Sequence, residues 1–335
     1  MKIKKKTLLN ALEKVKPGIA KTDFVESMSY FFFSGTDVIT YNDKISIQHP
    51  FKTDFSLFVK AQDLYKLIFK LTADTIIIAE KNDKLNIKSK SIQANLSTIH
   101  DDEVNERIKN VSKSLKKAKW KKLPDNFITN MNLCYFTAST QESEGTLTCI
   151  HVNGVDCVSS DNNRVSHAVL SEKMDEIFVK ATEVKNLSMI NPIKYATTKA
   201  WLHFKNKEGC IFSIRKIDGE FPDFIQFFNF EGVPISLPKE ILEGINISSV
   251  FVDEIDPSIN FKISKGCCDV SVKSDAGSVK HRSKIEYKGK EIKFVINPEF
   301  LKQMMTHSSN ITLTDDKAKL ETTDNNFSLL TSLYG

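Results

Sequence analysis

The sequence predicts an α+β protein of three tandem units, each with two helices packed on antiparallel sheets. The first indication is a theme that recurs at nearly equal intervals and that reads as a strand, a helix and then alternating strands. Its copies begin at Phe58, Phe178 and Phe294. The second indication is a short strand leading into a helix, which begins near Lys2, Lys119 and Pro234. Such repeats bury their faces against each other, which favours a scaffold over a single catalytic pocket.

The repeat spacing predicts three domains, at 1–115, 116–233 and 234–335. A chain of 335 residues with 41% hydrophobic and 27% charged residues is long enough for three such domains, and its composition is ordinary for a globular protein. The alternative to a true repeat is that similar successions of strand and helix recur by chance. The first helix of each unit is expected to begin near Thr7, Pro124 and Pro238, because proline suits the first turn of a helix.

The predicted helices each carry an apolar face. In chain order, the apolar faces of four of these helices consist of Leu8, Leu9, Leu12 and Val15; of Leu64, Leu67, Ile68 and Leu71; of Val184, Leu187 and Ile190; and of Phe300, Leu301, Met304 and Met305. Hairpins are predicted after the second helix of each unit. They join 75–79 to 85–88 across Asn82-Asp83, 201–204 to 210–214, and 311–313 to 319–321.

Lysines occupy the other faces of these helices and the segments that follow them, and the chain has only four arginines among its 47 lysine and arginine residues. The lysines on these faces and in these segments are Lys14, Lys16, Lys66, Lys70, Lys185, Lys194, Lys199 and Lys302. An ordinary solvated face is one explanation. The functional explanation is a shared surface that contacts phosphate oxygens of DNA without reading its bases. The net charge of +5 permits such a surface without proving it.

The segment 107–122 is the most basic stretch of the chain. A nucleic-acid-binding tail is one interpretation of such a segment. Its place between two repeats favours a connector, whose end becomes the first strand of the second unit. The preceding acidic residues, Asp101, Asp102 and Glu103, are expected to form a solvated loop and not a metal site.

No catalytic motif is apparent, so the protein is predicted not to be an enzyme and to need no cofactor or metal. The sequence has no phosphate-binding G-x-x-x-x-G-K-[ST] loop and no G-x-G-x-x-G after a strand. Ser166 and His167 near Asp161 suggest a triad only superficially. The six cysteines show no metal-ligand spacing and are expected to be free, mostly buried thiols. Without a long apolar run or a secretory signal, the expected location is the cytoplasm, with no membrane contact.

Three segments resemble sliding clamps of the bacterial DNA polymerase III beta-subunit type. Residues 160–165, S-D-N-N-R-V, resemble the family's T-D-G-H-R-L segment. Residues 218–224, D-G-E-F-P-D-F, resemble its D-G-x-F/Y-P-D-Y segment. The passage from Ile285, I-E-Y-K-G-K-E-I-K-F-V-I-N-P-E-F-L-K-Q-M-M, resembles a strand–helix passage near its C-terminal end. With the threefold period, the resemblance covers essentially the whole chain.

The resemblance implies a six-domain ring, formed as a head-to-tail homodimer, with helices around the hole and sheets outside. Such a processivity factor encircles double-stranded DNA, without sequence preference, and tethers the DNA polymerase. Polymerase and clamp loader are expected to bind through short peptide motifs. The resemblance also places Lys21 in a basic loop near DNA. The alternatives are a metal-dependent DNA-processing enzyme and a monomeric protein-binding adaptor.

Clamps of this type hold partner peptides in an apolar pocket between their second and third domains. The matching positions are Arg164, Val165, Pro222, Phe227, Leu329, Leu330 and Leu333. The family's Gly-His is Asn162-Asn163 here and the C-terminal tail differs, which predicts another peptide preference, as in a divergent or phage-encoded clamp. Core packing is the alternative role for Phe227. Removing 329–335 is expected to impair polymerase tethering more than folding.

Overall fold

A computed structural model describes residues 1–20, 25–253, 257–324 and 326–334. The chain divides into two compact units. Unit 1 contains residues 1–128 and 182–218, and unit 2 contains 129–181 and 219–335. The division into three consecutive domains therefore stays a prediction. The predicted DNA-contacting residue Lys21 lies outside the described residues.

The described residues form seven α-helices, of which six are those predicted in pairs from the three repeats. The helices are α1 Lys5–Val15, α2 Ala61–Lys70, α3 Asp102–Lys116, α4 Phe127–Cys134, α5 Val184–Ile190, α6 Ile241–Ser248 and α7 Pro298–His307. Pro124 and Pro238 lie in the turn before α4 and α6, where their carbonyl oxygens accept from the N–H groups of Phe127 and Ile241. Both helices therefore begin three residues later than predicted.

Unit 1 contains one antiparallel sheet of twelve strands. Its strands are β1 Lys2–Lys4, β2 Tyr30–Phe33, β3 Asp37–Tyr41, β4 Ile45–Pro50, β5 Leu57–Lys60, β6 Thr75–Glu80, β7 Lys84–Ser89, β8 Ile92–Ile99, β9 Lys121–Lys122, β12 Lys194–Thr197, β13 Trp201–Lys205 and β14 Ile211–Arg215. They lie in the order β1-β6-β7-β8-β5-β2-β3-β4-β14-β13-β12-β9. The pairing of β4 with β14 joins strands of the first and second repeats in one sheet.

Unit 2 contains a six-stranded sheet, β10-β11-β22-β21-β20-β15, and a four-stranded sheet, β18-β17-β16-β19. The strands are β10 Cys149–Ser160, β11 Arg164–Lys180, β15 Val233–Ser236, β16 Ile259–Ser264, β17 Cys267–Ser274, β18 Gly277–Lys284, β19 Ile292–Ile296, β20 Asn310–Leu313, β21 Lys317–Glu321 and β22 Phe327–Ser332. In the six-stranded sheet, the last strand of the chain lies between β11 and β21.

The repeated theme is confirmed in all three copies. Strands β5, β11 and β19 lead into α2, α5 and α7, and the predicted hairpins follow as β6–β7, β13–β14 and β20–β21. At the tip of the first hairpin, Asn82 and Asp83 have φ of 54° and 53°. Asparagine and aspartate tolerate this left-handed conformation, which a tight hairpin turn requires at both central positions.

The central strands of unit 1 are buried on both faces. On one face, the Thr40 hydroxyl in β3 donates to the Val15 carbonyl at the end of α1, at 2.5 Å. On the other face, Tyr30 and Phe32 of β2 join a buried cluster with Val104 and Ile108 of α3. Since side chains alternate along a strand, α1 and α3 cover opposite faces of this sheet.

Helix α3 corrects two expectations. The predicted connector, 107–122, is helical over most of its length, and the acidic residues predicted to form a loop, 101–103, form the start of the helix. Asp101 caps the helix, since its Oδ1 accepts the Val104 N–H at 2.9 Å. The Ser27 hydroxyl donates to Oδ2, and this hydrogen bond lowers the pKa of Asp101. Val104, Ile108 and Val111 form the buried stripe. The segment does end in a strand, β9, as predicted.

Several residues of the predicted apolar faces are only half-buried. Leu9, Leu67, Phe300 and Met305 lie at the edges of their helix faces, whereas Leu8, Leu64, Leu301 and Met304 fill the centres. Phe69 of α2 is 62% exposed, so this helix carries an aromatic ring on its outer side. Among the described residues, no helix is long and apolar enough to cross a membrane.

His203 in β13 is fully buried and makes the folded protein sensitive to acid. Its Nδ1 lies 2.8 Å from the Ser213 hydroxyl, and its Nε2 lies 3.3 Å from the Ser114 hydroxyl of α3. Burial lowers the pKa of His203 from 6.5 to about 4. Between these values the unfolded chain binds the proton and the folded chain does not. The unfolding free energy is therefore expected to fall by about 3 kcal/mol as the pH drops from neutral to 4.

Urea unfolding at a series of pH values between 7 and 4 tests this expectation. His203→Gln should lower the slope by the contribution of His203, because glutamine does not titrate in this range. His49 and His307, whose pKa values burial also lowers, should keep the remaining part of the slope. The exposed His100, changed in the same way, is the control and should keep the wild-type slope. Equal slopes for the wild type and His203→Gln would contradict the assignment.

Candidate DNA surface and peptide site

Helices α1 and α2 of unit 1 pack side by side, and four of the predicted DNA-contacting lysines lie on them or directly after α1. Lys16, just after α1, is exposed, and its ammonium lies 4.3 Å from the centre of the Tyr65 ring of α2. Lys66 and Lys70 of α2 are also exposed. No carboxylate of a described residue lies within ion-pair distance of Lys66 or Lys70. Both ammonium groups are therefore available to an anionic ligand.

Two of the predicted lysines are less available than expected, because each forms an ion pair within the chain. Lys14 binds the Glu208 carboxylate at 2.9 Å and is 27% exposed. Lys302 binds Glu299 at 2.7 Å and the Ser249 hydroxyl at 3.3 Å, and is 23% exposed. The sequence pattern placed both on a solvated face and could not show these partners.

The remaining three lysines are exposed but lie on different kinds of element. Lys185 lies in the first turn of α5. Lys194 lies in β12 opposite Lys122 and Lys205, and Lys199 lies in the turn between β12 and β13. Lysines directly opposite each other repel, and an anionic ligand would relieve this repulsion. Lys122 is partly neutralised, because it binds Asp125 at 3.3 Å.

The residues of the predicted peptide pocket all lie in unit 2. Val165 of β11 pairs directly with Leu330 of β22. Both are buried in one apolar cluster with Val158 and Phe224. The partly buried side chains that pack against this cluster are Leu147, Phe221, Phe228 and Phe230. The structure therefore brings Val165 and Leu330 together as predicted.

Arg164 positions the elements around this cluster. Its guanidinium donates to Asp161 Oδ2 from Nε at 3.0 Å and from Nη2 at 2.6 Å. A third donor, Nη1, binds Gln303 of α7, and the group stacks 4.1 Å from the Phe300 ring. The preceding turn is fixed by Asp161 Oδ1, which accepts the Arg164 N–H at 2.8 Å. Arg164 thus links β11 to α7 and is only 12% exposed.

The accessible part of the site is the segment 221–230, F-P-D-F-I-Q-F-F-N-F. Phe227 is 44% exposed and Ile225 is 38% exposed, so Phe227 is not a core residue. Pro222 is exposed as well. These three exposed apolar side chains lie in the segment that packs beside the buried cluster, and we call them the apolar triplet.

Lys319 and Lys317 are functional candidates that the sequence analysis missed. Lys319 of β21 is 9% exposed, and its ammonium donates to the Phe228 carbonyl at 3.0 Å. It also lies 4.9 Å from the Phe230 ring, so it fixes the segment 221–230 to the sheet. The ammonium of Lys317 lies 5.8 Å from the Phe227 ring and adds a positive charge beside the apolar triplet.

The three C-terminal leucines are buried in unit 2. Leu329 is 1% exposed, Leu330 is 5% exposed and Leu333 is 7% exposed. Leu329 and Leu330 lie in β22, an internal strand of the six-stranded sheet. The Leu333 N–H donates to the Asp316 carbonyl at 2.8 Å. These contacts indicate a role in the fold, and a role in a peptide pocket stays a prediction.

The superficial triad of Ser166, His167 and Asp161 does not form. Ser166 and His167 are consecutive on β11 and point to opposite faces. His167 Nε2 binds Asp156 Oδ1 at 2.7 Å instead. Among residues 1–20, 25–253, 257–324 and 326–334, no three His, Cys, Asp or Glu side chains are grouped to hold a metal ion. Burial raises the pKa of the Cys210 and Cys268 thiols to about 12, so these thiols stay protonated.

Comparison with solved structures gives full-length matches. A DNA polymerase III beta chain from Streptococcus pneumoniae is 19% identical, with a TM-score of 0.85 and coverage of 100% of this chain and 99% of that chain. A DNA polymerase sliding clamp from Bacillus subtilis is 18% identical, with a TM-score of 0.83 and coverage of 100% and 98%. A Pseudomonas aeruginosa clamp bound to griselimycin is 15% identical, with a TM-score of 0.83 and coverage of 100% and 99%.

No protein-family model and no curated protein matches the sequence. The likeness therefore lies in the fold, and it extends over the whole of this chain and nearly the whole of the compared chains. The chain has the α+β fold of the DNA polymerase III beta-subunit sliding clamps.

Proposed function

We propose that this protein is a DNA sliding clamp, a processivity factor without catalytic activity that encircles duplex DNA and tethers a polymerase. The observation that carries the proposal is the full-length match to sliding clamps, at a TM-score up to 0.85. The lysines of α1 and α2 support it, because flexible ammonium groups hold phosphates without fixing a sequence. Such contacts suit a protein that has to slide.

Two different sheet edges support a head-to-tail dimer. Strand β18 is the last strand of its sheet and pairs only with β17 among the described strands. In β8, residues 92–96 pair on one side with β7, while β5 pairs only with Thr98 and Ile99. Each edge leaves backbone groups unpaired, and we propose that β18 of one copy meets β8 of the other. An interface between two unlike surfaces, formed twice, closes a ring.

Native mass measurement tests the dimer and separates a clamp from a monomeric adaptor. A clamp is expected at twice the chain mass of 38.0 kDa, and an adaptor at the chain mass. Val250, 75% exposed just after α6 in unit 2, marks an apolar patch near the proposed interface. Val250→Glu should weaken the dimer, whereas Met189→Glu, 62% exposed on α5, is the control. A metal-dependent cleavage of added duplex DNA would favour the enzyme alternative instead.

We further propose that the apolar triplet of Pro222, Ile225 and Phe227 receives the peptide motifs of the polymerase and clamp loader. These side chains are exposed beside the buried cluster. Lys317 lies near Phe227 and would bind an acidic group of the peptide in exchange for Asp316, which it binds at 3.8 Å. Arg164 and Lys319 hold the surrounding elements in place, so they are positioning residues of this site.

Phe227→Ala is expected to shorten the products of primer extension by the replicative polymerase that this protein serves. An exposed aromatic anchor at the centre of a peptide site typically contributes about 2 kcal/mol, or roughly 30-fold in affinity. The amount of protein retained on circular DNA should not change. Ile77→Ala, a change at an apolar residue of unit 1 that is 48% exposed, is the matched control. Wild-type product lengths with Phe227→Ala would contradict a role for Phe227.

A further inference from the structure

A groove runs beside α3 on one face of the unit 1 sheet, with a volume of about 630 Å³. Its floor is apolar and includes Phe32 of β2, Ile39 of β3 and Ile108 of α3. Lys109 and Lys116 of α3 and Lys205 of β13 stand around it. This volume lies within the range of sites that bind small ligands or a few peptide side chains.

The groove lies on the face of the sheet opposite to α1. Phe32 and Ile39 point to the α3 side, whereas Thr40 points to the end of α1. If α1 and α2 face DNA as proposed above, the groove is accessible while DNA is held. Binding of a ligand in the groove does not itself depend on DNA, and this binding can be tested in the absence of DNA.

The charges around the groove favour an acidic ligand. Lys109 and Lys116 are exposed, and no carboxylate of a described residue lies within ion-pair distance of either. Lys205 lies 5.7 Å from the Trp120 ring, where the ring orients its ammonium. One acidic residue, Asp37, also lines the groove, and its Oδ2 accepts the Thr36 hydroxyl at 2.6 Å. The three lysines thus outnumber the single carboxylate.

The aromatic side chains of the groove distinguish a peptide from a nucleic-acid strand. Single strands are held by bases that stack on open aromatic faces. The Trp120 ring is only partly exposed and is flanked by Lys205 and by His203, whose ring lies 6.4 Å away. Phe32 stacks on Phe58 at 4.4 Å and is 8% exposed. Neither ring offers an open face, while the aliphatic floor suits an apolar side chain.

We propose that this groove binds a short acidic peptide segment of a partner protein, with an aliphatic or aromatic side chain on the apolar floor and carboxylates on Lys109, Lys116 and Lys205. It would be a partner site separate in sequence from the apolar triplet, since its residues belong to unit 1 and the triplet to unit 2. A clamp with this site would hold a second partner independently of the polymerase peptide.

The probe is a panel of fluorescein-labelled peptides of sequence Glu-Asp-x-x-Asp-Glu, in which x-x runs through the aliphatic and aromatic residues. Fluorescence anisotropy with the full chain should identify members that bind. A control peptide outside the panel, with Ser-Ser at x-x, should not bind. Trp120 is a second reporter, because the chain has two tryptophans and Trp201 is 5% exposed. Binding should therefore change tryptophan emission.

Two double variants with the same change of charge decide whether binding occurs in the groove. Lys109→Glu with Lys116→Glu should raise the Kd of the best peptide at least about tenfold. Lys117→Glu with Lys119→Glu, at exposed positions that do not line the groove, should leave it within about twofold. Ser112→Phe, which fills the groove from α3, should also abolish binding.

Three outcomes would overturn the proposal. The first is that no member of the panel binds the wild-type chain. The second is that both double variants lose affinity equally, which would show a nonspecific charge effect. The third is that a dT12 oligonucleotide binds more tightly than the best peptide and loses affinity in the groove variant, which would make the groove a nucleic-acid site.

Discussion

A chain that ends at Ser328 is expected to lose the folded state of unit 2. The deletion removes most of β22, which pairs with β11 on one side and β21 on the other. It also removes Leu329, Leu330 and Leu333, all of which are less than 10% exposed. Deleting the side chain of a buried leucine costs about 2–5 kcal/mol, and three such losses match the whole stability of a typical domain, about 5–15 kcal/mol.

Urea unfolding and limited proteolysis measure this effect, with cleavage expected throughout 219–328 in the shortened chain. A chain that ends at Leu333 is the control, because it keeps β22 and all three buried leucines. It should unfold close to the wild-type urea midpoint. If the chain ending at Ser328 kept that midpoint and failed only in tethering a polymerase, the assignment of the leucines to the core would be wrong.

The triple variant Lys66→Glu, Lys70→Glu and Lys185→Glu is expected to lose most of its affinity for a short linear duplex while the dimer stays intact. Each phosphate contact contributes about 0.9 to the slope of log K against log salt concentration on duplex DNA. If all three lysines contact phosphates, the slope should fall by about 2.7, and the new carboxylates should repel the backbone in addition. Binding to a short linear duplex at several salt concentrations gives both the affinity and the slope, because a ring is not trapped on DNA with free ends.

Helix α3 supplies a matched control for this variant. Lys109 and Lys116 are exposed on α3, and the exposed Lys117 directly follows this helix, which lies on the sheet face opposite to α1. Replacing these three lysines by glutamate changes the net charge by the same amount. The affinity for the duplex should stay near the wild-type value if α1, α2 and α5 face the DNA. Equal losses in the two variants would show that only net charge matters.

The repeats and hairpins could be predicted because their signals are local. An apolar stripe at helical spacing fixes α2, and the Asn82-Asp83 pair fixes the turn of the following hairpin. Helix α3 could have been predicted in the same way, since Val104, Ile108, Val111 and Leu115 recur at helical spacing. The place of that segment between two repeats favoured a connector instead.

The partners of individual side chains could not be predicted, because they come from distant parts of the chain. Lys14 meets Glu208 across 194 residues, and Lys319 meets the Phe228 carbonyl across 91 residues. A period-two pattern places Lys319 on the exposed face of β21. The segment 221–230 covers Lys319 in the structure, and no pattern in the residues around Lys319 indicates this burial.

The C-terminal tail shows what a family resemblance leaves open in a divergent chain. The resemblance implies that Leu329, Leu330 and Leu333 line a peptide pocket, and this stays a prediction. In the structure all three side chains are buried, and Leu329 and Leu330 lie in β22 between β11 and β21. The motif could not show this burial, because the strands that flank β22 are set by pairing over the whole of unit 2.

Cutting the DNA under a loaded protein tests the proposal of an encircling clamp most directly. The protein is loaded on nicked circular plasmid, unbound protein is removed, and a restriction enzyme then cuts the plasmid once. A protein that holds DNA by enclosing it should slide off the free ends within the time of the assay, while uncut circles keep it. Equal retention on cut and uncut plasmid would show binding by surface contact alone and would contradict a ring.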